Sequence, residues 1–381
     1  MLRSLYAGIS GMKANQIKLD VVGNNIANCG TTAFKSSRVR FQDMVSQSMT
    51  QALAPGTNQG GVNARQVGLG VQVAGIDTMT GQGGMQPTSR PLDVAMDGEG
   101  YLMVAKGATP KGGATIATSA ETVSAIGVSL KADYTVDATN GMNLFYTRDG
   151  ALTLDTEGNL LNSDGLRVLG YGVTATTNIT DENGAVTDGE AYTSIDYDAN
   201  GKAIINYADA NSKNIKTEQK LIPLVIPEKI AIPENTTTDP VTPAGTVRIT
   251  TFSIEKDGII KAVLEGGKVA ILGQIAVASF KNPAGLSKLG GNVYQNTSNS
   301  GEPVVRTGKY VVADATAADG ETRLDNSKGY GDMLGGMLEM SNVDLAEQFT
   351  DMIVASRAFQ AAGKTITTGD EILQDIIGLK R

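Results

Sequence analysis

Histidine and tryptophan are absent from the 381 residues, and there is a single cysteine, Cys29. Without histidine the chain lacks the commonest general base and metal ligand, and no Ser-His-Asp or Cys-His arrangement can be built. One cysteine excludes an intramolecular disulfide and a cysteine-built zinc site. No run approaches the ~20 apolar residues of a membrane-spanning helix. Nor is there the uninterrupted apolar core of a secretory signal, because Ser10, Lys13, Asn15, Gln16 and Lys18 break every apolar stretch near Met1. Bases are outnumbered, with 32 Lys and Arg against 40 Asp and Glu, and the net charge of −8 argues against nucleic acid as a partner. Aromatics make up only 5% of the chain, which predicts a modest core. Glycine is plentiful at 46 residues and predicts many turns. These features describe two or three domains with no enzymatic role, no cofactor and no metal. They place the chain in the cytoplasm, or outside it by a route that uses no cleaved signal.

Both ends carry a helical pattern. Positions spaced alternately by three and four hold Leu2, Leu5, Ile9, Met12, Leu19 and Ile26, interrupted by Gln16 and Gly23. Such a helix is ~39 Å long. Gly8, Gly11 and Gly23 each weaken it by about 1 kcal/mol relative to alanine, so alone it is marginal in water. The same spacing near the C-terminus holds Leu345, Phe349, Met352, Phe359, Ile366, Leu373 and Ile377. Ser341-Asn342-Val343-Asp344 offers a capping-box variant with Ser341 as N-cap. The helix is expected from about 342 to 379, ~57 Å long. Residues 1–40 carry six bases and one acid, and residues 339–381 carry seven acids and four bases. Opposite charge and matching apolar seams make the two ends natural partners; the alternative is that each packs on its own domain.

Between them the signals are β. Leu92-Asp93-Val94-Ala95-Met96 leads through Asp97-Gly98-Glu99-Gly100 to Tyr101-Leu102-Met103-Val104. Turn residues recur at 155–159, 181–184, 198–201 and 256–258, where Asn and Gly tolerate positive φ. Residues 269–272 and 274–277 read as further strands. Residues 107–141, rich in Ala, Thr, Ser and Gly, are expected to be an inserted loop, and 232–246 a Pro-containing linker.

Apparent catalytic motifs fail. Gly363-Lys364-Thr365 lacks the leading glycine of a phosphate loop, since Ala358 stands there, and it lies in a helical pattern. Asp196-Tyr197-Asp198-Ala199-Asn200-Gly201 opens like a calcium loop, but its twelfth position is Tyr207 where a glutamate is required. A thiolate role for Cys29 needs a neighbouring positive charge or base, and it reads instead as a small unreactive side chain. The N-terminal helix has too few bases and aromatics for a membrane-surface helix.

Four blocks carry a resemblance. Asn24-Asn25-Ile26-Ala27-Asn28-Cys29-Gly30-Thr31-Thr32-Ala33-Phe34-Lys35 resembles the N-terminal signature of bacterial flagellar rod and hook proteins, with Asn24, Asn25, Ala27, Asn28, Thr31, Phe34 and Lys35 as its signature residues. Residues 92–101, 146–171 and 341–347 with the C-terminal helix resemble three further blocks of that family, in order, while 173–270 matches weakly. The resemblance implies a mixed fold: terminal α-helices paired as a coiled coil, with nested all-β domains between them. The implied divisions are 1–28 with 341–381 as the helical core, 29–71 as an extended or hairpin connector, 72–172 with 271–340 as an inner β domain, and 173–270 as an outer one.

Within the family, the length, Val22-Gly23-Asn24-Asn25, Phe41-Gln42-Asp43-Met44 and a variable inserted domain point to the hook subunit, with the distal rod subunit as alternative and a surface adhesin as a remote one. Implied partners are many copies of the chain itself, the distal rod protein, the hook cap protein, the hook–filament junction protein and the type III export apparatus. Neither nucleic acid nor membrane insertion is implied. The implied location is the extracellular flagellum, reached without a cleaved signal peptide. The seam residues above are then the polymerisation residues.

Overall fold

The computed structural model describes residues 2–54, 60–107, 127–131, 134–139, 141–180, 186–197, 201–210, 215–232, 245–306 and 331–379. The chain divides into two compact units, 1–81 with 341–381, and 82–340. It is mostly β, with one long helix near each terminus.

The first unit holds helix α1, Leu2–Ala27, and helix α2, Leu345–Gly378. The expected capping box shifts by one turn. The N-cap is Asp344, whose carboxylate accepts from the N–H groups of Ala346 and Glu347, while Ser341 Oγ accepts only from Val343 N–H, at 3.4 Å. The nearer carboxylate satisfies two of the helix's free N–H groups at once, so it wins the cap. The Ser37–Asp43 strand pairs antiparallel with Val71–Thr78, Ser37 opposite Thr78. The expectation had divided these strands between a 29–71 connector and the inner β domain; here they form one ribbon in the helical unit. Beyond it Ser46–Thr50 pairs with Arg65–Gly68, and both strands are exposed along their whole length. α1 rests on the ribbon at Gly70 (φ 131°), where Ser10 Oγ accepts from Val71 N–H at 3.3 Å. Any side chain at Gly70 would collide with Ser10.

The second unit is almost wholly strands, seventeen of which join in one hydrogen-bonded network. Its spine is the Arg167–Thr180 strand, which pairs in turn with Tyr101–Lys106, Val269–Ile275, Ile215–Pro223 and Val186–Thr193. At Gly170 a Cβ would meet Gln274 O and Leu224 Cδ1, so the partner change needs glycine. The expected inner–outer divisions at 172/173 and 270/271 fall within two strands paired at Tyr171 and Gln274. One apolar cluster runs across that level, from Val94, Met96 and Met333 to Ile195, Tyr197 and Ile205. A second gathers the scarce aromatics edge to face, with Tyr146–Phe280 centroids at 4.8 Å and Tyr101–Tyr294 at 5.7 Å.

The turn residues at 155–159 and 256–258 close hairpins, with Gly158 and Gly258 at positive φ. The turns at 181–184 and 198–200, and 233–244 of the expected linker, lie outside the described residues. Of the loop expected at 107–141, residues 108–126, 132–133 and 140 lie outside the described residues, and the rest is corrected in part. Val128–Leu130 and Val136–Ala138 are strands, the first pairing with Ile215–Pro223 and burying Val128 and Leu130. Two apolar residues at period two outweigh a small-residue background once a partner strand is at hand.

The second unit also buries an ion pair. Arg148 Nε lies 3.0 Å from Glu339 Oε2, and both side chains are almost fully buried. Arg148 also donates to the carbonyls of Met96 and Gly98, and Gly83 N–H donates to Glu339 Oε1 at 3.0 Å. The outgoing chain at Gly83 and the returning chain at Glu339 are thereby tied together.

Candidate functional site

α1 and α2 lie antiparallel, and their closest contacts involve small residues. A Cβ on Gly8 would sit 2.9 Å from Thr365 Oγ1 and 3.0 Å from Ile366 Cγ1. One on Gly11 would touch Ala362, one on Gly363 Met12, and one on Gly369 Leu5. Further along, Lys18 Nζ pairs with Asp351 at 3.0 Å, and Asn25 Nδ2 donates to Gln348 Oε1 at 2.9 Å. Ala14, Val22 and Ala355 are buried.

The expected seam residues divide. Leu5, Met12, Leu19, Ile26, Met352, Ile366 and Leu373 are half-buried at the edges of this contact. Ile9, Leu345, Phe349, Phe359 and Ile377 are exposed. Leu2 is in α1, but its side chain is outside the described ones. The closest-packed positions run one residue ahead of the expected stripe on both helices: 8, 11, 18, 22 and 25 on α1, and 348, 351, 355, 362 and 369 on α2. Of the stripe, Leu5, Met12 and Ile366 do take part in the contact within one chain, against Gly369, Gly363 and Gly8 of the other helix. A pattern of large apolar residues marks what is sticky, whereas two helices come closest where side chains are smallest. Gly8, Gly11 and Gly369 had been read only as weak points in their helices, or not at all.

The signature residues gather where four passes of chain meet. Asn25 is fully buried. Its Oδ1 accepts from Ser37 N–H at 3.0 Å, and its Nδ2 donates to Ser37 O at 2.8 Å as well as to Gln348. One amide thus ties α1, the ribbon and α2. Asn28 Nδ2 donates to both Asn24 oxygens, and Thr31 Oγ1 donates to Asn28 Oδ1, closing the end of α1. Lys35 is buried and donates to Gly81 O at 2.8 Å. Phe34 is half-buried, and its carbonyl accepts from Asn342 N–H. Ala27 is exposed. Asn342, read from sequence only as part of a capping box, does the second half of the work. Its Oδ1 accepts from Ser36 N–H at 2.8 Å, and its Nδ2 donates to Met79 O and Gly81 O. An asparagine two residues before a helix cap was the available signal.

This arrangement offers geometry for holding chain passes together and surface for association. Cys29 is half-buried and free. Gly363-Lys364-Thr365 lies inside α2. Among the described residues no group of three His, Cys, Asp or Glu side chains converges on a metal site, and no helix is long and apolar enough to cross a membrane.

Comparison with known proteins adds to this. Residues 5–35 match the family described as flagella basal body rod protein. Residues 133–262 match the flagellar hook protein FlgE/F/G D1 domain, and residues 334–379 the flagellar basal body rod FlgEFG protein C-terminal region. The chain is 35% identical over 381 aligned residues to the flagellar basal-body rod protein FlgG of Bacillus subtilis, covering all of both chains. It is 31% identical over 493 aligned residues to the flagellar hook protein FlgE of Borreliella burgdorferi, again covering all of both. The flagellar hook protein FlgE of Treponema pallidum is 28% identical over 487, with both chains fully covered.

Proposed function

Because the chain belongs to the flagellar hook and basal-body rod protein family, whose members polymerise into axial structures of the flagellum, we propose that it is a structural subunit of the hook: a flexible curved tube that transmits torque from rod to filament as a universal joint. The observation that carries the reading is the inside-out burial of α2. It runs 34 residues, yet only Ala355 and Gly369 are buried, while Phe349, Ile353, Val354 and Phe359 are exposed. A helix pair that spends glycine and alanine on its internal contact and keeps its large apolar residues outside is built for further partners.

In this reading the paired helices continue as a coiled coil lining the tube, and the stripe of Leu5, Ile9, Phe349, Phe359 and Ile377 is covered there. Subunits leave through the type III export apparatus without a cleaved signal and assemble under the hook cap protein. They sit between the distal rod protein and the hook–filament junction protein, outside the cell. Marginal terminal helices suit export as unfolded chain.

A second reading, the distal rod subunit, is favoured by the Bacillus subtilis relative, which is named as a basal-body rod protein. Electron microscopy of tubes grown from purified protein separates them. Curved, flexible tubes are expected; straight rigid tubes assign the rod, and a chain that stays monomeric at high concentration overturns both.

A further inference from the structure

The Asn143–Thr147 strand is paired unequally on its two edges. Toward Tyr101–Lys106 it pairs over its whole length, from Asn143 opposite Lys106 to Thr147 opposite Leu102. Toward Val293–Gln295 it pairs at two positions only, Tyr146 opposite Tyr294 and Thr147 opposite Val293. Continued, that register sets Phe145 opposite Gln295, but that pair does not form. The chain is held elsewhere. Thr297 Oγ1 donates to Gly285 O at 2.7 Å, and Ser300 Oγ accepts from Thr297 N–H at 2.9 Å and donates to Thr297 O at 2.8 Å. A cleft of about 540 Å³ opens where the two strands part, within the ~300–1,000 Å³ of small-molecule sites. Asn143, Leu144 and Phe145 line it along an edge that no described strand covers. Leu144 and Phe145 are half-buried and Tyr146 is buried, which makes one wall apolar and aromatic. Asn143, Gln295, Asn296 and Glu302 also line it, and all four are exposed. Among the described residues no lysine or arginine lines the cleft.

The lining selects a class of ligand. With a carboxylate and no base, the cleft offers nothing to hold a phosphate or a carboxylate. Each of the three amides presents a donor group and an acceptor side by side, and the carboxylate adds two acceptor oxygens. Adjacent hydroxyls on a ring, each both donor and acceptor, match such pairs. The apolar wall of Leu144 and Phe145 suits the C–H face of the same ring. An extended peptide is the other ligand that an open strand edge attracts. It is disfavoured here because only three residues of edge are free, short of the ~5–6 of an ordinary strand. We propose that this cleft binds a neutral oligosaccharide. Its hydroxyls bond to the amides of Asn143, Gln295 and Asn296 and to the carboxylate of Glu302, and one ring lies against the Leu144–Phe145 wall. The site belongs to the β unit alone and is independent of the polymer reading.

The test is calorimetric titration of the full chain with three uncharged tetrasaccharides, cellotetraose, chitotetraose and maltotetraose, each to millimolar concentration. An uncharged pentapeptide of alternating threonine and valine serves as the peptide arm. At least one tetrasaccharide is expected to bind, with the same affinity in low and high salt, since the ligand carries no charge. Asn143→Ala, Gln295→Ala and Glu302→Gln are each expected to weaken that binding about fivefold to tenfold, the loss of one or two hydrogen bonds. All three side chains are exposed, so the melting midpoint is expected to stay at the wild-type value. Lys256→Ala, on an exposed turn outside the cleft lining, is expected to leave binding unchanged. The proposal is overturned if no tetrasaccharide binds, or if binding is undiminished in all three cleft variants. It is equally overturned if the pentapeptide binds and the sugars do not, which assigns the edge to strand addition instead.

Discussion

The two compact units bury apolar side chains in different ways. In 82–340 the large residues are inside: Leu102, Met103, Leu152, Leu160, Leu169, Tyr171, Leu221 and Leu224 are all fully buried. The helical unit reverses this. Its buried apolar residues are Ala14, Val22, Ala33 and Ala355, while its phenylalanines on α2 and many of its isoleucines face out. A chain can thus hold one part as a finished, self-sufficient core and leave large apolar side chains of another part exposed. The difference lies in where side-chain volume is placed along each element, since both units are short of aromatics.

Alkaline titration should break the comparison most strongly. Burial pushes the phenols of Tyr101, Tyr146, Tyr171, Tyr197 and Tyr294 above their usual value near 10, and Tyr207 is pushed up to about 12. All six lie in the β unit. The folded state holds these protons more tightly than the unfolded chain, whose tyrosines ionise near 10. Stability is therefore complete below about pH 10 and is lost as pH rises through the folded values. Urea midpoints for the β unit, measured from pH 8 to 12, should be flat and then fall steeply.

Arg148→Met strands the buried Glu339 carboxylate and should cost about 3–5 kcal/mol by urea denaturation of the β unit. Gly369→Leu forces Leu5 aside at the helix contact and should cost about 1–3 kcal/mol, read as a lower melting midpoint of the helical signal with the β unit's midpoint unchanged. Asp344→Ala removes the α2 cap and should cost about 1 kcal/mol in the same helical melt. Asp351→Asn, which removes the half-exposed pair with Lys18, should cost at most ~1 kcal/mol and less in high salt.

Both long helices were legible in the amino-acid pattern, to within a few residues, because three-four periodicity over many turns is hard to produce otherwise. So were the hairpins around Gly158 and Gly258, whose turn chemistry is local. The contact face of the helices was legible only in part: Leu5, Met12 and Ile366 of the expected stripe touch the other helix, but the small residues that share the contact did not show. Periodicity weighs side chains by hydrophobicity, and the residues at the contact are Gly8, Gly11, Ala355 and Gly369, which weigh little. Val128–Leu130 was hidden by its Ser- and Gly-rich surroundings, since its partner strand lies some ninety residues away, at Lys220 and Leu221. The roles of Asn25 and Asn342 rest on backbone groups brought from distant parts of the chain, which no local pattern displays. The Arg148–Glu339 pair is invisible for the same reason.

Hydrogen exchange on the full chain, first as dilute monomer and then as assembled tubes, tests the central claim most directly. The account predicts that in the monomer the strands of 82–340 are strongly protected while the amides of α1 and α2 exchange quickly, and that both helices become protected in the tube. Terminal helices already as protected in the monomer as the β core, with no change on assembly, would contradict it.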